Sequence, residues 1–343
     1  SDRQWAAMMM GDESYAGSSS FFLLKDTITR LTGFEYVIPT HQGRAAENVL
    51  FSHLVHNGDI VPGNSHFDTT KGHIESRKAV ALDCTVDEAK DTQLEVPFKG
   101  NVDPAKLETA LKQYKDKIPF IIVTVTNNTA GGQPVSMQNL REVRALADKY
   151  GKRVIFDSAR FVENAYFIKT REDGYADKTI KEIVKEMFSL ADGMTMSSKK
   201  DGLVNMGGFI ATRHEDWYEG AKKFCIPFEG YLTYGGMNGR DMAALAVGLE
   251  ENTEFDNIET RIKQVQYLAA RLDEYGIPYQ RPVGGHALFV DADKVLSSVP
   301  KEEFPAQTLA IELYLEAGIR GCEIGYILAD RDPVTRENRF GGL

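Results

Sequence analysis

Apolar residues recur along the chain with the period of amphipathic helices. Between Ser18 and Leu31 they follow one another at intervals of three or four residues, which predicts a helix that Gly33 ends. In the segment Thr179–Leu190 the apolar positions keep to one face in the same way. Similar patterns predict the other helices at 45–55, 137–150, 257–275 and 304–317, the last of them capped by Gly318.

Short apolar runs separate these helices. Ile118–Val125 is the most apolar of them and has the length of a buried strand. Further strands are predicted at 35–38, 153–157, 193–196, 208–212 and 286–290. Because strands alternate with helices, the pattern predicts an α/β fold with a mostly parallel sheet that helices cover.

The predicted elements become shorter after the long helix at 257–275. We therefore expect a large domain at 1–252, followed by a connecting helix and a smaller α+β domain at 253–343. The chain opens at Ser1 without an initiator methionine and stops soon after a polar stretch at 331–339, which is predicted to be a loop. We expect a fragment of a longer protein.

Composition narrows the class of protein. The 40 lysines and arginines against 50 aspartates and glutamates give a net charge of −10, which argues against nucleic acid and anionic membranes as partners. The most apolar run is far shorter than the ~20 residues of a membrane-spanning helix. Cys84, Cys225 and Cys322 lie far apart, without a C-x-x-C motif, which is typical of reduced thiols in a cytoplasmic enzyme.

Several common motifs are absent from the sequence. It contains no G-x-G-x-x-G for a dinucleotide, no Walker A loop for a nucleotide phosphate, and no H-E-x-x-H or G-x-S-x-G. His53 and His56 have a spacing that suits a metal, but no nearby carboxylate or thiol completes a ligand set. The two histidines are better interpreted as surface or partly buried residues.

Three short stretches carry the candidate chemistry. Asp157 ends a predicted buried strand, where open α/β sheets bind ligands, although a helix N-cap is an equally good interpretation of this residue alone. Lys199 and Lys200 follow another predicted strand among apolar neighbours, and crowding by a second cation lowers the pKa of an amine. Paired lysines are otherwise typical of a solvated surface.

The third stretch, Gln42-Gly43-Arg44, lies at a predicted helix start. Backbone amides and a guanidinium at such a place suit a phosphate monoester, and the alternative is an ordinary loop. Together the three stretches supply the requirements of pyridoxal phosphate: a partner for the ring nitrogen, a lysine for the covalent link and a phosphate anchor. Their combination favours this cofactor over the separate alternatives.

At these residues the sequence resembles the β-eliminating lyases, pyridoxal phosphate enzymes that cleave tryptophan or tyrosine. The matching segments include Ile38-Pro39-Thr40-His41-Gln42-Gly43-Arg44 and Ser197-Ser198-Lys199-Lys200-Asp201, and also residues 8–17, 130–136, 157–167, 234–236, 284–287 and 303–307. The resemblance implies the aspartate aminotransferase-like fold, known as fold type I of the PLP-dependent enzymes. It also implies a homotetramer with active sites shared between subunits.

The resemblance implies a role for each site residue. Lys200 is the lysine linked to the cofactor, with Lys199 beside it, and Asp157 faces the ring nitrogen. The phosphate is bound by Gln42, Gly43, Arg44 and Ser197; the ring is contacted by Phe67, Asn128 and Arg160. Tyr15 is the general acid for the leaving group, and Glu13 and Asn205 hold potassium or a similar monovalent cation.

Two positions bear on the leaving group. The family's phenol enzymes carry a threonine and an arginine where this chain has Asp68 and Ile324, and the tryptophanase branch has the same residues as this chain. A carboxylate can assist proton movement on indole, whereas a phenol hydroxyl needs the missing guanidinium. We therefore expect β-elimination of L-tryptophan to indole, pyruvate and ammonium.

Two alternatives stay open. Residues 203–208 and 239–242 look closer to the phenol enzymes, so L-tyrosine is the second candidate substrate. Family members also extend beyond both ends of this chain and carry further substrate and cation contacts there. A truncated chain that binds the cofactor without activity is the third possibility.

Overall fold

The sheet is mixed but almost entirely parallel. The computed structural model describes residues 1–325 together with residues 332, 335 and 337. Among these residues seven strands pair in the order β1-β7-β6-β5-β4-β2-β3. The strands are β1 (Tyr36–Thr40), β2 (Ile60–Gly63), β3 (Val80–Asp83), β4 (Ile121–Thr124), β5 (Val154–Asp157), β6 (Gly193–Ser197) and β7 (Gly208–Thr212). Only β7 runs against its neighbours β1 and β6, so the predicted mostly parallel sheet is confirmed.

Helices cover both faces of this sheet. Those of the described residues are α1 (Asp2–Met10), α2 (Ser19–Thr32), α3 (Gly43–Leu54), α4 (Asp68–Ser76), α5 (Pro104–Tyr114), α6 (Met137–Lys149), α7 (Phe161–Arg171), α8 (Ile180–Ser189), α9 (Glu215–Phe228), α10 (Gly239–Asn252), α11 (Phe255–Glu274), α12 (Ala292–Val295) and α13 (Pro305–Ala317). All six helices predicted from apolar spacing are present, with ends that differ by one or two residues. The local reasons are visible: Ser18 caps α2, Thr179 and Glu182 form a capping box on α8, and Gly33 adopts the left-handed conformation.

One predicted strand is wrong. Residues 286–290 form no strand and share only an isolated bridge between Tyr279 and Val290. The chain at the start of this segment instead packs closely against α7: a Cβ at Gly285 would lie 2.7 Å from the side chain of Glu163. His286 bonds to Glu163 as well, so its side chain stabilises a close-packed loop and no strand ladder forms.

Two apolar clusters sandwich the sheet. Alternate residues of a strand point to opposite faces, so on β5 Phe156 joins one cluster and Ile155 the other. The predicted boundary near residue 252 coincides with the end of α10 and stays a prediction. Much of the second domain's C-terminal part and of the predicted 331–339 loop lies outside the described residues. Within the described part of the chain, no helix combines the length and apolarity that crossing a membrane requires.

A buried ion cluster ties α11 to the sheet's carboxyl edge. The fully buried carboxylates of Asp201 and Glu163 both pair with Arg261, at 2.8 Å and 3.2 Å. Asp201 also accepts the backbone N–H groups of Val162 and Glu163 at the start of α7. Because Asp201 directly follows Lys200, the cluster fixes the chain after β6 against the chain after β5.

Candidate active site at the carboxyl edge of the sheet

A single cavity opens where the parallel strands end. It brings together residues that are distant in sequence, as expected at the carboxyl edge of an open α/β sheet. Its lining consists of Gln42, Gly43, Arg44, Glu47, Phe67, Thr69, Thr124, Thr126, Asn128, Asp157, Ala159, Arg160, Thr195, Met196, Ser197, Lys199 and Lys200. The residues predicted to bind the cofactor all lie in this lining.

The start of α3 forms the predicted phosphate cradle. Gln42 is the N-cap residue and Gly43 is the first residue of the helix. The backbone N–H groups at this helix start therefore have no acceptor within the helix. The helix start packs tightly on β6, because a Cβ at Gly43 would lie 2.5 Å from the Cβ of Ser197. Glycine is therefore required here, and it lets a ligand approach the backbone. The cradle combines these amides with the side chains of Arg44 and Ser197.

The two lysines after β6 have different surroundings. Lys199 is exposed, whereas Lys200 is mostly buried and its Nζ donates to Ser197 Oγ at 2.6 Å. Burial, helped by the positive charge of Arg160, lowers the pKa of Lys200. Lys200 is therefore the amine better suited to react as a nucleophile or to accept a proton.

Asp157 is a buried carboxylate with few hydrogen-bond partners. It ends β5 between Thr124 and Thr195 on the neighbouring strands and is 8% exposed. Burial raises the pKa of Asp157 against the opposing charge of Lys200. It does not cap α7, whose N-cap residue is Arg160, and its side chain accepts only a long 3.4 Å bond from the Ala159 N–H. A carboxylate in this condition is available to a ligand.

Asn128 and Phe67 are positioned by their own neighbours. The Oδ1 of Asn128 lies 2.8 Å from His286 Nε2, and the other ring nitrogen of His286 lies 2.8 Å from Glu163 Oε1, so the imidazole fixes the Asn128 side chain against α7. Phe67 precedes the first residue of α4 and presents an aromatic ring to the cavity. Both arrangements suit a planar ring bound between them.

Glu47 is a site residue that sequence reasoning missed. It lies one turn into α3, is 5% exposed, and accepts hydrogen bonds from the hydroxyls of Thr69 and Thr70. Burial and the nearby charge of Asp157 raise the pKa of Glu47 to about 7. The only signal in the sequence was an acidic residue on the apolar face of a predicted helix, which is rare unless that residue is paired.

Four predicted residues lie outside the cavity lining. Tyr15 is 77% exposed, and its ring lies 5.5 Å from that of Tyr234. Asp68 is exposed at the start of α4, between the lining residues Phe67 and Thr69, and accepts the next backbone N–H.

The other two were predicted to bind a cation. Glu13 accepts the Gly239 N–H at the start of α10, and Asn205 is exposed. Across the described residues, no group of three histidine, cysteine or acidic side chains is placed to hold a metal ion.

The lining fits pyridoxal phosphate. An anion cradle, a lysine of lowered pKa and a buried carboxylate occupy one cavity, which are the groups that this cofactor requires. The Oγ1 of Thr124, a buried polar atom of the lining, has no hydrogen-bond partner among the described residues and is available to a polar ligand.

Comparison with known proteins identifies the family. The family model described as β-eliminating lyase matches residues 1–343. A probable β-eliminating lyase of Trichomonas vaginalis is 80% identical over 343 residues, covering 100% of this chain and 75% of the relative. A tyrosine phenol-lyase of Pasteurella multocida is 52% identical, covering 98% and 74%, and a tryptophanase of Salinibacter ruber is 50% identical, covering 96% and 70%.

Solved structures agree on the fold. A SepCysS–SepCysE N-terminal domain complex matches with a TM-score of 0.62 at 14% identity, covering 94% of this chain and 83% of that chain. Serine palmitoyltransferase of Sphingomonas wittichii matches with a TM-score of 0.58 at 15% identity, covering 84% and 67%. The predicted fold type I architecture is confirmed.

The raised pKa of Glu47 predicts a pH-dependent stability. Between pH 4.5 and about 7 the folded protein keeps a proton on Glu47 that the unfolded chain releases, so stability falls as the pH rises through this window. Glu47→Gln, which carries no charge, is expected to gain about 3 kcal/mol relative to the wild type between pH 5 and pH 8. Urea unfolding of the cofactor-free proteins at several pH values measures this difference.

Glu108→Gln is the matched control. Hydrogen bonds from Lys149, Lys112 and Tyr150 lower the pKa of Glu108 to about 2, so this carboxylate is ionised in both states above pH 5. Its difference from the wild type is expected to stay constant over the same range. A constant difference for Glu47→Gln as well would contradict the buried, protonated state.

Proposed function

The chain belongs to the β-eliminating lyase family, whose members are PLP-dependent lyases that act on amino acids, and we propose that its own reaction is the β-elimination of L-tryptophan to indole, pyruvate and ammonium. The observation that carries the proposal is the cavity that joins Lys200, Asp157 and the phosphate cradle. Asp68 at its edge is the feature that favours tryptophan.

We assign the cofactor contacts to the cavity lining. The backbone amides at the start of α3 and the side chains of Gln42, Arg44 and Ser197 would bind the phosphate. The ring would lie against Phe67. Asp157 would accept a hydrogen bond from the protonated ring nitrogen, while Asn128 and Arg160 would face the ring hydroxyl. When bound, pyridoxal phosphate supplies an electron sink for the electron pair released at the substrate α-carbon.

Lys200 has two tasks in this proposal. It would form the covalent link to the cofactor, and its free amine would accept the α-proton of the substrate. Burial supports both tasks, because a lowered pKa leaves more of the amine unprotonated near neutral pH. The hydroxyl of Ser197 orients that amine.

The leaving group needs a proton of its own. Indole departs from the substrate β-carbon only after its ring carbon has been protonated, because an aryl carbanion is too basic to leave. We assign this proton to Tyr15 and the assistance to Asp68, which lies between Phe67 and Thr69 at the edge of the cavity.

L-Tyrosine is the second candidate substrate. The tyrosine phenol-lyase of Pasteurella multocida is as similar to the chain as the tryptophanase of Salinibacter ruber. The residue types at Asp68 and Ile324 favour tryptophan, since a carboxylate can assist proton movement on indole and isoleucine cannot donate the hydrogen bond that a phenol hydroxyl needs. Release of phenol or indole by the purified protein decides between the two substrates.

We further propose a homotetramer in which subunits share active sites. Tyr15 is exposed and is not part of the cavity lining of its own chain, which supports this proposal, since a general acid must reach the leaving group. Potassium or a similar monovalent cation would bind near Glu13 and Asn205, which are both exposed. Reduced Cys84, Cys225 and Cys322 support a cytoplasmic location.

The lysine that forms the covalent link can be identified by chemical labelling. Borohydride reduction of the protein with bound pyridoxal phosphate, followed by peptide mapping, is expected to place the pyridoxyl group on Lys200, the buried amine of lowered pKa. Lys199→Arg is the control and keeps the label, whereas Lys200→Arg loses it. A label on Lys199 in the wild type would contradict the assignment.

Asp68 can be tested through the leaving group. Asp68→Thr is expected to lower kcat/KM for tryptophan by about 100-fold, the usual effect of losing general acid–base assistance. S-Methylcysteine releases a thiolate that needs no ring protonation, so its kcat/KM should change by less than about threefold. Equal losses on both substrates would show that Asp68 only stabilises the start of α4.

Site sharing predicts complementation between inactive variants. Tyr15→Phe and Lys200→Ala are each expected to be inactive, but a mixture refolded together should recover about a quarter of the sites, because one kind of site in each mixed pair is then complete. Asp157→Ala mixed with Lys200→Ala is the control and should recover nothing, since both residues line the cavity of one chain. No recovery in the first mixture would rule out sharing.

A further inference from the structure

Two helices supply opposite sides of the cavity. The start of α3 carries the phosphate cradle, and the start of α4 carries Phe67, which faces the cavity directly before the helix begins. A ligand with a phosphate and an aromatic ring needs both at a fixed separation. The separation therefore depends on what joins the two helices near their starts.

Glu47 makes that connection. It lies on α3 one turn after Gly43, and its Oε2 accepts the hydroxyl of Thr69 at 2.6 Å, while its Oε1 accepts the hydroxyl of Thr70. Glu47 and Thr70 are both buried, so water cannot replace these bonds without cost.

We propose that Glu47 is a positioning residue that holds Phe67 at the correct distance from the phosphate cradle through Thr69 and Thr70. The inference rests on the proposed binding of pyridoxal phosphate, and it adds a residue that specifies how the ring is held. Glu47 acts through α4 and takes no part in the chemistry.

The other connections of α4 start further along the helix than Thr70. The side chain of His73 bonds to the backbone of Arg44 in the cradle. Arg77, after the last turn of α4, bonds to Asn48 and Ser52 on α3, which joins the far ends of the two helices. The chain before Phe67 is held on the strand side by Asn64, whose side chain pairs with the backbone of Thr124. Glu47 supplies the connection nearest to Phe67 on the cradle side.

The charges around Glu47 are consistent with a positioning role over a wide pH range. Asp157 and Asp68 disfavour its ionised form, the two threonine hydroxyls favour it, and burial raises its pKa to about 7. Lys200 is a further charged group that interacts with Glu47. A threonine hydroxyl can donate or accept, so the connection persists whether or not Glu47 carries a proton.

Thr70→Val is the sharpest test, because Thr70 is buried outside the cavity lining and valine has nearly the same shape. The variant is expected to bind pyridoxal phosphate about tenfold more weakly, a loss of the size typical of one hydrogen bond. Affinity for inorganic phosphate, which needs only the cradle, should stay within about twofold. Equilibrium dialysis measures both, and visible circular dichroism of the bound cofactor reports the orientation of its ring.

Matched variants separate positioning from general damage. Glu47→Ala is expected to show the same selective loss, and Glu47→Gln to restore most of the affinity because an amide still bonds to both hydroxyls. Two further variants are controls. Thr109→Val makes the same chemical change at an exposed position of α5, and Arg77→Met loosens the far end of α4. Both controls should leave pyridoxal phosphate affinity and the dichroism unchanged.

The outcomes are distinct. Equal losses for phosphate and pyridoxal phosphate, an unchanged Thr70→Val variant, or no rescue by Glu47→Gln would each overturn the inference alone. A wild-type protein that binds phosphate but not pyridoxal phosphate would overturn the proposed function and this inference with it.

Discussion

The buried carboxylate of Asp201 fixes the geometry on which the whole cavity depends. It follows Lys200 and accepts the N–H groups of Val162 and Glu163 at the start of α7. The ends of β5 and β6 are thereby held together, and Arg261 from α11 balances the charge. Breaking a buried pair of this kind costs about 3–5 kcal/mol, so the distance between Asp157 and Lys200 is set by a strong constraint outside the cavity.

Acidic groups inside the cavity differ from those that support it. Asp201 and Glu163 are fully buried and have charged partners and hydrogen bonds, as structural carboxylates do. Among the described residues, Asp157 accepts only one long hydrogen bond. Burial raises the pKa of Asp157 and lowers the pKa of Lys200, so it favours the neutral form of each group. Such uncompensated groups are typical of functional sites, where a ligand supplies the missing partners.

Sequence patterns predicted the fold because the apolar spacing of its helices and the apolar runs of its central strands agree with the architecture. Edge strand β3 was missed because its four residues are only partly buried or exposed, which leaves no apolar run. The cofactor-binding residues followed from motifs at strand ends. Glu47 was missed because its role depends on α4, which lies 21 residues later in sequence and was not predicted. The strand predicted at 286–290 was wrong because contacts of His286 with Glu163 and Asn128 override the strand-like composition of the segment.

The structure also explains why similarity to relatives does not identify the substrate. The residues that would hold the cofactor form the floor of the cavity, at the strand ends and at the starts of α3 and α4, and the proposed cofactor would need them regardless of the leaving group. The groups that would contact the leaving group, Tyr15 and Asp68, are exposed and lie outside that floor. Few contacts constrain them, and a change of one residue type there alters the chemistry without disturbing the fold. Two relatives of about 50% identity can therefore carry different activities. In the proposed function Asp68, at the edge of the cavity, would carry more information about the substrate than the identity over the whole chain.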